Sequence, residues 1–173
     1  MRFSGSGDFV RKVVRRAQHY LAGPGAADIL ACVGLLDLYG ASIFPDTVTS
    51  IQDRIEWGSR HFESQVGDSR FRMFFAVHEL EAWLLADPSV FPPAVSAALP
   101  AAASAQPESV NFRRPPAKLM DEIYTRTTGR AYKKVTYGKR LFAGVDVHTA
   151  RDKCPALTTL LDAMKGIAVS AGL

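Results

Sequence analysis

The sequence predicts an α/β fold, a mostly parallel sheet flanked by helices. Two observations carry this expectation. Short, almost wholly apolar runs alternate with segments of helical period, in the order strand, helix, strand, helix over residues 29–85; this is the pattern of βαβ units. The chain also has 173 residues, of which 47% are hydrophobic and 22% charged, enough to bury one core without disulfide staples. A single domain over residues 1–173 is expected, with an acidic core part at about 25–91 and a basic C-terminal part at about 107–173.

Residues 8–22 read as an amphipathic helix. Phe9, Val10, Val13, Val14, Ala17 and Leu21 recur at helical spacing, and Asp8 is a plausible N-cap. Arg11, Lys12, Arg15, Arg16 and His19 fall on the rest of its surface, and Gly23-Pro24-Gly25 ends it. Ile29 to Leu36 reads as a buried strand that runs into Asp37. In open α/β sheets ligands gather beyond the carboxyl ends of strands, which makes Asp37 a candidate site residue. Asp46 to about Gln65 reads as a helix capped by Asp46, with Val48, Ile51, Ile55 and Phe62 near one face. Arg70 to Val77 is the second strand, followed directly by a helix over His78 to Leu85 that ends at Asp87-Pro88. The Pro-, Ala- and Ser-rich stretch 92–107 is either a linker or a helix broken at Pro100. Residues 115–128 and 156–166 read as helices.

Composition excludes several classes. The longest apolar runs fall short of the roughly 20 residues needed to span a membrane. No apolar stretch follows the first basic residues as a signal peptide requires. Cys32 and Cys154 are too few for a disulfide scaffold and are not spaced as a metal pair. No Walker A, GxGxxG, GxSxG or HExxH pattern occurs. A soluble, cytoplasmic protein is expected.

Charge is unevenly distributed. Residues 1–24 carry five Lys/Arg and one acid, residues 25–106 four and ten, and residues 107–173 twelve and six. Carboxylates that hold a divalent cation, flanked by Lys/Arg that hold phosphates, would give such a profile; so would ordinary fluctuation along a chain. His78, Glu79 and Glu81 cluster just past the second strand, and hard carboxylate oxygens suit Mg²⁺ or Mn²⁺. On a helix Glu79 and Glu81 would point about 200° apart. Residues 130–140 interleave Tyr132 and Tyr137 with Arg130, Lys133, Lys134, Lys139 and Arg140. That mixture suits nucleic-acid phosphates, with aromatic stacking on bases as a further option, or an ordinary solvated loop turning at Gly138.

Three stretches resemble the bacterial DUF4276 proteins. They are Gly34-Leu35-Leu36-Asp37-Leu38-Tyr39-Gly40, then Val77-His78-Glu79-Leu80-Glu81-Ala82-Trp83-Leu84-Leu85-Ala86-Asp87-Pro88, and a tail containing Pro107-Glu108, Pro116-Ala117-Lys118, Tyr132-Lys133-Lys134-Val135-Thr136-Tyr137-Gly138 and Arg151-Asp152-Lys153-Cys154-Pro155. The resemblance implies a TOPRIM-like domain, related to the nuclease half of overcoming-lysogenization-defect proteins. It further implies Mg²⁺-dependent phosphodiester cleavage in an antiviral defence system, beside an AAA- or ABC-type ATPase partner. Carried over residue by residue, Asp37 and Glu81 become metal ligands with Glu79 close by. Lys134, or alternatively Lys118, becomes the catalytic lysine that steadies the phosphate. Arg130, Lys133, Lys139 and Arg140 become nucleic-acid contacts.

One departure bears on activity. The strand and the acidic, glycine-rich EGxTE-like motif that open TOPRIM domains are not found, and no Glu precedes Glu56. Tyr39 also stands where the usual DxD has its second acid, a substitution the family itself shows. Two expectations therefore stand side by side: a Mg²⁺- or Mn²⁺-dependent nuclease, or a catalytically inactive module that binds nucleic acid or an ATPase. Both are compatible with a homo-oligomer, and neither involves a membrane.

Overall fold

The computed structural model describes residues 5–110 and 113–173. Met1-Arg2-Phe3-Ser4, where the N-terminal strand and acidic motif were sought, lie outside the described residues. The chain is α/β and divides into two compact units. One comprises residues 1–75 and 160–173, the other residues 76–159.

The first unit opens with helix α1 (Ser6–Ala22), which buries Phe9, Val13, Ala17 and Leu21. These are four of the six residues whose spacing predicts the helix. The Gly23-Pro24-Gly25 break leads to strand β1 (Cys32–Asp37), helix α2 (Ile51–Val66) and strand β2 (Phe71–Ala76). β1 and β2 pair as a small parallel sheet, the βαβ unit expected from the alternation. α2 begins five residues later than expected. Ser50, not Asp46, caps it by accepting the Asp53 N–H at 3.0 Å. Ser-x-x-Asp is a capping-box-like spacing, and the β-branched pair Thr47-Val48 ahead of it favours extended backbone. Phe62 of α2 meets Phe9 of α1 edge to face, with ring centroids 6.0 Å apart.

Arg70 ties this unit's connections together. Its guanidinium pairs with Asp68 and donates to the carbonyls of Leu21 and Ala26, each at 2.6 Å. The hydrogen bonds that Asp68 accepts from the Arg70 guanidinium, and then from the Arg70 backbone N–H, hold its carboxyl down at a pKa of about 2.

Helix–strand packing here is close because Gly58 has no side chain. A Cβ at Gly58 would lie 2.5 Å from the Phe75 ring edge. Gly58→Ala gains about 1 kcal/mol of helix propensity but overpacks the contact by about 1–3 kcal/mol. We therefore expect a net loss of about 1 kcal/mol, read as a lower urea midpoint with an unchanged m-value.

The second unit is helical among its described residues after the end of β2. Its helices are α3 (Glu81–Ala86), α4 (Pro93–Ala98), α5 (Ala101–Ala105), α6 (Pro116–Thr128), α7 (Lys134–Gly144), α8 (Val147–Lys153) and the start of α9 (Pro155–Ser170). The 92–107 stretch is the broken helix rather than a linker, interrupted at Leu99-Pro100. Leu84, Leu85, Phe91, Val95, Leu119, Met120, Ile123, Tyr124 and Leu141 form its apolar core.

α7 corrects the loop reading of residues 130–140. Gly138 lies inside a helix, not at a turn. It is buried, and a Cβ there would sit 3.8 Å from the Tyr132 hydroxyl. Packing of Leu141 and Tyr137 into the core outweighs the roughly 1 kcal/mol that glycine costs a helix.

Candidate functional site

The second unit gathers Glu81, Lys134 and Tyr132. Glu81 is the first residue of α3 and its side chain is fully buried. One carboxylate oxygen, Oε2, accepts from Lys134 Nζ at 2.9 Å. The other, Oε1, accepts from the Tyr132 hydroxyl at 3.4 Å. An ionised carboxylate survives burial only when paired and hydrogen-bonded, and both conditions are met here. Lys134 reaches Glu81 from the first turn of α7, with its side chain 48% exposed. Burial, and then the neighbouring Glu81 charge, push the Tyr132 phenol well above its ordinary range, so it stays a hydrogen-bond donor. Tyr132 itself packs against Tyr124 and Tyr137, with ring centroids 5.6 and 6.3 Å away.

Glu79 takes a different partner. It lies in the turn before α3, and its Oε2 accepts the Ala117 N–H at 2.8 Å. Ala117 is in the first turn of α6, where unsatisfied N–H groups and the helix dipole favour a negative charge. Glu79 and Glu81 thus turn to separate partners, as their two-residue spacing suggests, although only Glu81 is helical. His78 is also buried, and burial lowers its pKa.

The remaining candidates fall as follows. Lys118 is exposed on the first turn of α6, so the lysine in contact with Glu81 is Lys134. Arg130, Lys133, Lys139 and Arg140 are all exposed. Lys133, Tyr137 and Arg140 follow one another at i, i+4 and i+7, and the Arg140 guanidinium sits 6.0 Å from the centre of the Tyr137 ring. Tyr132 is buried beside Glu81 and offers no face for a base, which removes it from the stacking reading. Asp37 closes β1 in the first unit and is partly exposed.

Two acids escaped sequence reasoning. Asp87 accepts from the backbone N–H and the hydroxyl of Ser89 and from the Asp146 N–H. Asp146 in turn caps α8 through the Thr149 N–H. Glu108 accepts the Ala156 N–H at 2.9 Å, at the start of α9. Burial raises the Glu108 pKa even though the Ala156 and Leu157 N–H groups pull it down. A Pro-Glu pair and a Cys-Pro pair far apart in sequence are thereby joined. The signal available in the sequence was the recurrent Pro at helix starts (Pro116, Pro155), which marks N-termini in need of acceptors.

The carboxylates have the right chemistry for a hard cation, but their arrangement does not fit one. Glu79 is engaged by α6, and both oxygens of Glu81 are engaged by Lys134 and Tyr132. Among the described residues, no three His, Cys, Asp or Glu side chains are grouped as metal ligands. No helix among the described residues is long and apolar enough to cross a membrane.

Neither curated proteins nor solved structures give a match to this chain. A family model does match, that of the domain of unknown function DUF4276, and it covers residues 8–165. That span takes in both strands, the Glu81–Lys134 pair and the capping acids Glu79, Asp87 and Glu108, so the chain belongs to the DUF4276 family.

Proposed function

We propose that this protein binds a nucleic-acid backbone through the surface around α7. The observation that carries this reading is the run between Glu122 and Asp146, which holds six Lys/Arg and no acid. All six, Arg126, Arg130, Lys133, Lys134, Lys139 and Arg140, are exposed. Closely spaced cations of this kind bind a polyphosphate chain by releasing its condensed counterions. Such contacts position a backbone and carry no sequence information. The reading corresponds to the expected alternative of a catalytically inactive module that binds nucleic acid or an ATPase.

The test is binding of a labelled duplex in EDTA across 50–200 mM salt. Replacing Lys139 and Arg140 together by Ala should lower the slope of log affinity against log salt by about 1.8 if each makes one phosphate contact. The loss should be equal on unrelated sequences. Affinity that ignores salt would reduce the α7 surface to a solvated face.

A metal-dependent nuclease is the second reading. The buried Glu81 carboxylate in contact with Lys134 favours it, because buried ion pairs gather at sites of chemistry as well as in structural networks. This reading carries over the resemblance-based assignment of Asp37, Glu81 and Glu79 to Mg²⁺ or Mn²⁺, which requires Glu79 and Glu81 to leave the partners described above. It likewise carries over Lys134, with Lys118 as the alternative, as the lysine that steadies developing negative charge. Plasmid or single-strand cleavage in Mg²⁺ or Mn²⁺ that disappears in Asp37→Ala would establish it. Binding without cutting, unchanged by EDTA, would leave the binding module alone.

A further inference from the structure

We propose that Glu81 is the positioning residue for Lys134, holding its ammonium where a backbone phosphate docks, with Tyr132 fixing the carboxylate from behind. This rests on the nucleic-acid-binding reading above, and it assigns Glu81 a role that needs no metal. The geometry is directional. Glu81 is fully buried on α3, the first helix after β2, so its carboxylate is a fixed point. Tyr132 donates to Oε1 and Lys134 to Oε2, so the two oxygens engage different partners.

Lys134 by contrast is 48% exposed, and its ammonium donates to Oε2. A lysine on a solvated helix turn otherwise samples many rotamers, and freezing it on binding costs conformational entropy. An ammonium held in advance by a buried acceptor meets the phosphate without that loss. Lys133 and Arg130 flank it on the same cationic run.

The proposal makes a prediction opposite in sign to simple electrostatics. Glu81→Gln removes a negative charge close to the phosphate path, so charge counting alone predicts tighter binding. Positioning predicts weaker binding, because the neutral amide holds Lys134 poorly. The experiment is titration of a fluorescein-labelled duplex in EDTA with the full chain, its Glu81→Gln, Lys134→Ala and doubly substituted forms, each checked by circular dichroism.

Glu81→Gln should bind about fivefold more weakly, and its salt slope should fall by up to about 0.9, the single contact that Lys134→Ala also removes. The double variant should be no weaker than Lys134→Ala, since both changes disable one contact. Tyr132→Phe keeps the packing and loses only the hydroxyl; it should weaken binding by about twofold, and it serves as the deciding variant if Glu81→Gln does not fold. Tighter or unchanged binding in Glu81→Gln, or in Tyr132→Phe when that is the deciding variant, overturns the proposal. So does an effect of Glu81→Gln that appears only with Mg²⁺ present, which would return Glu81 to metal binding. If the unsubstituted chain binds no duplex at low salt, it is the nucleic-acid reading itself that fails.

Discussion

Lys134→Ala should lower the thermal midpoint by several degrees, although the lysine side chain is about half exposed. The reason lies in its partner. Glu81 is fully buried, and losing Lys134 leaves its carboxylate, among the described residues, with the longer Tyr132 bond at 3.4 Å. Removing one partner of a buried ion pair typically costs about 3–5 kcal/mol. Water can reach the Lys134 side of this pair, so the expected cost is nearer 2 kcal/mol. For a chain of this size that is about 4–8 °C. The double change Glu81→Gln with Lys134→Ala should recover about 1 kcal/mol or more relative to Lys134→Ala alone, because the stranded charge is gone. Calorimetry of the four forms gives the coupling directly. If Lys134→Ala melts with the unsubstituted chain, Glu81 does not depend on Lys134, and the case for a positioned ammonium weakens with it.

What could be read from the sequence was what local chemistry decides. The α1 period, the two apolar runs of β1 and β2 and the Pro100 break each appear as predicted within a few residues. α7 and α8 were not anticipated. Gly138 and Gly144 interrupt the helical signal of α7, and only the burial of Gly138 and Leu141 against neighbouring helices makes that helix form. α8 starts from Asp146, whose cap is visible locally, but its support comes from Asp87, 59 residues away. For the site, Glu81 and Lys134 were both named as candidates, and the structure joins them. Their relation was not legible, because a 53-residue separation carries no periodic signal. Tyr132 was read as a surface aromatic on account of its charged neighbours, whereas it faces inward to Glu81. The carboxylates Glu79, Asp87 and Glu108 each receive backbone N–H groups, a duty that charge patterning cannot tell from metal binding.

Asp87→Asn should destabilise the chain nearly as much as Asp87→Ala, despite its near-identical shape. Asp87 is buried, and both of its oxygens act as acceptors. Oδ1 takes the Ser89 N–H and hydroxyl, at 3.1 and 2.6 Å, and Oδ2 takes the Asp146 N–H at 2.9 Å. An amide replaces one of these oxygens by an NH₂ group, which then faces a donor it cannot accept from. Whichever way the amide is flipped, a donor on the Ser89 side or the Asp146 side loses its acceptor. A buried group left in that state costs about 1–3 kcal/mol, and loosening Asp146 threatens its own cap on the Thr149 N–H, worth about 1 kcal/mol. We expect about 3 kcal/mol for Ala and at least 2 for Asn, read from urea unfolding at pH 7. The pH profile provides a second check. Burial alone would raise the Asp87 pKa, but the bonds from Asp146 and Ser89 outweigh it and the pKa falls below the ordinary value of 3.8. A depressed carboxylate contributes stability above its unfolded pKa and loses it as pH falls through its folded pKa. The unsubstituted chain should therefore lose stability below about pH 4, and Asp87→Asn should lose less over the same interval. Asp68 and Asp146, whose pKa values are also lowered, remain in both forms and account for the slope that persists. Parallel acid profiles in the two forms would show that Asp87 is not held as an anion, and the account of α8 as anchored through its carboxylate would have to be abandoned.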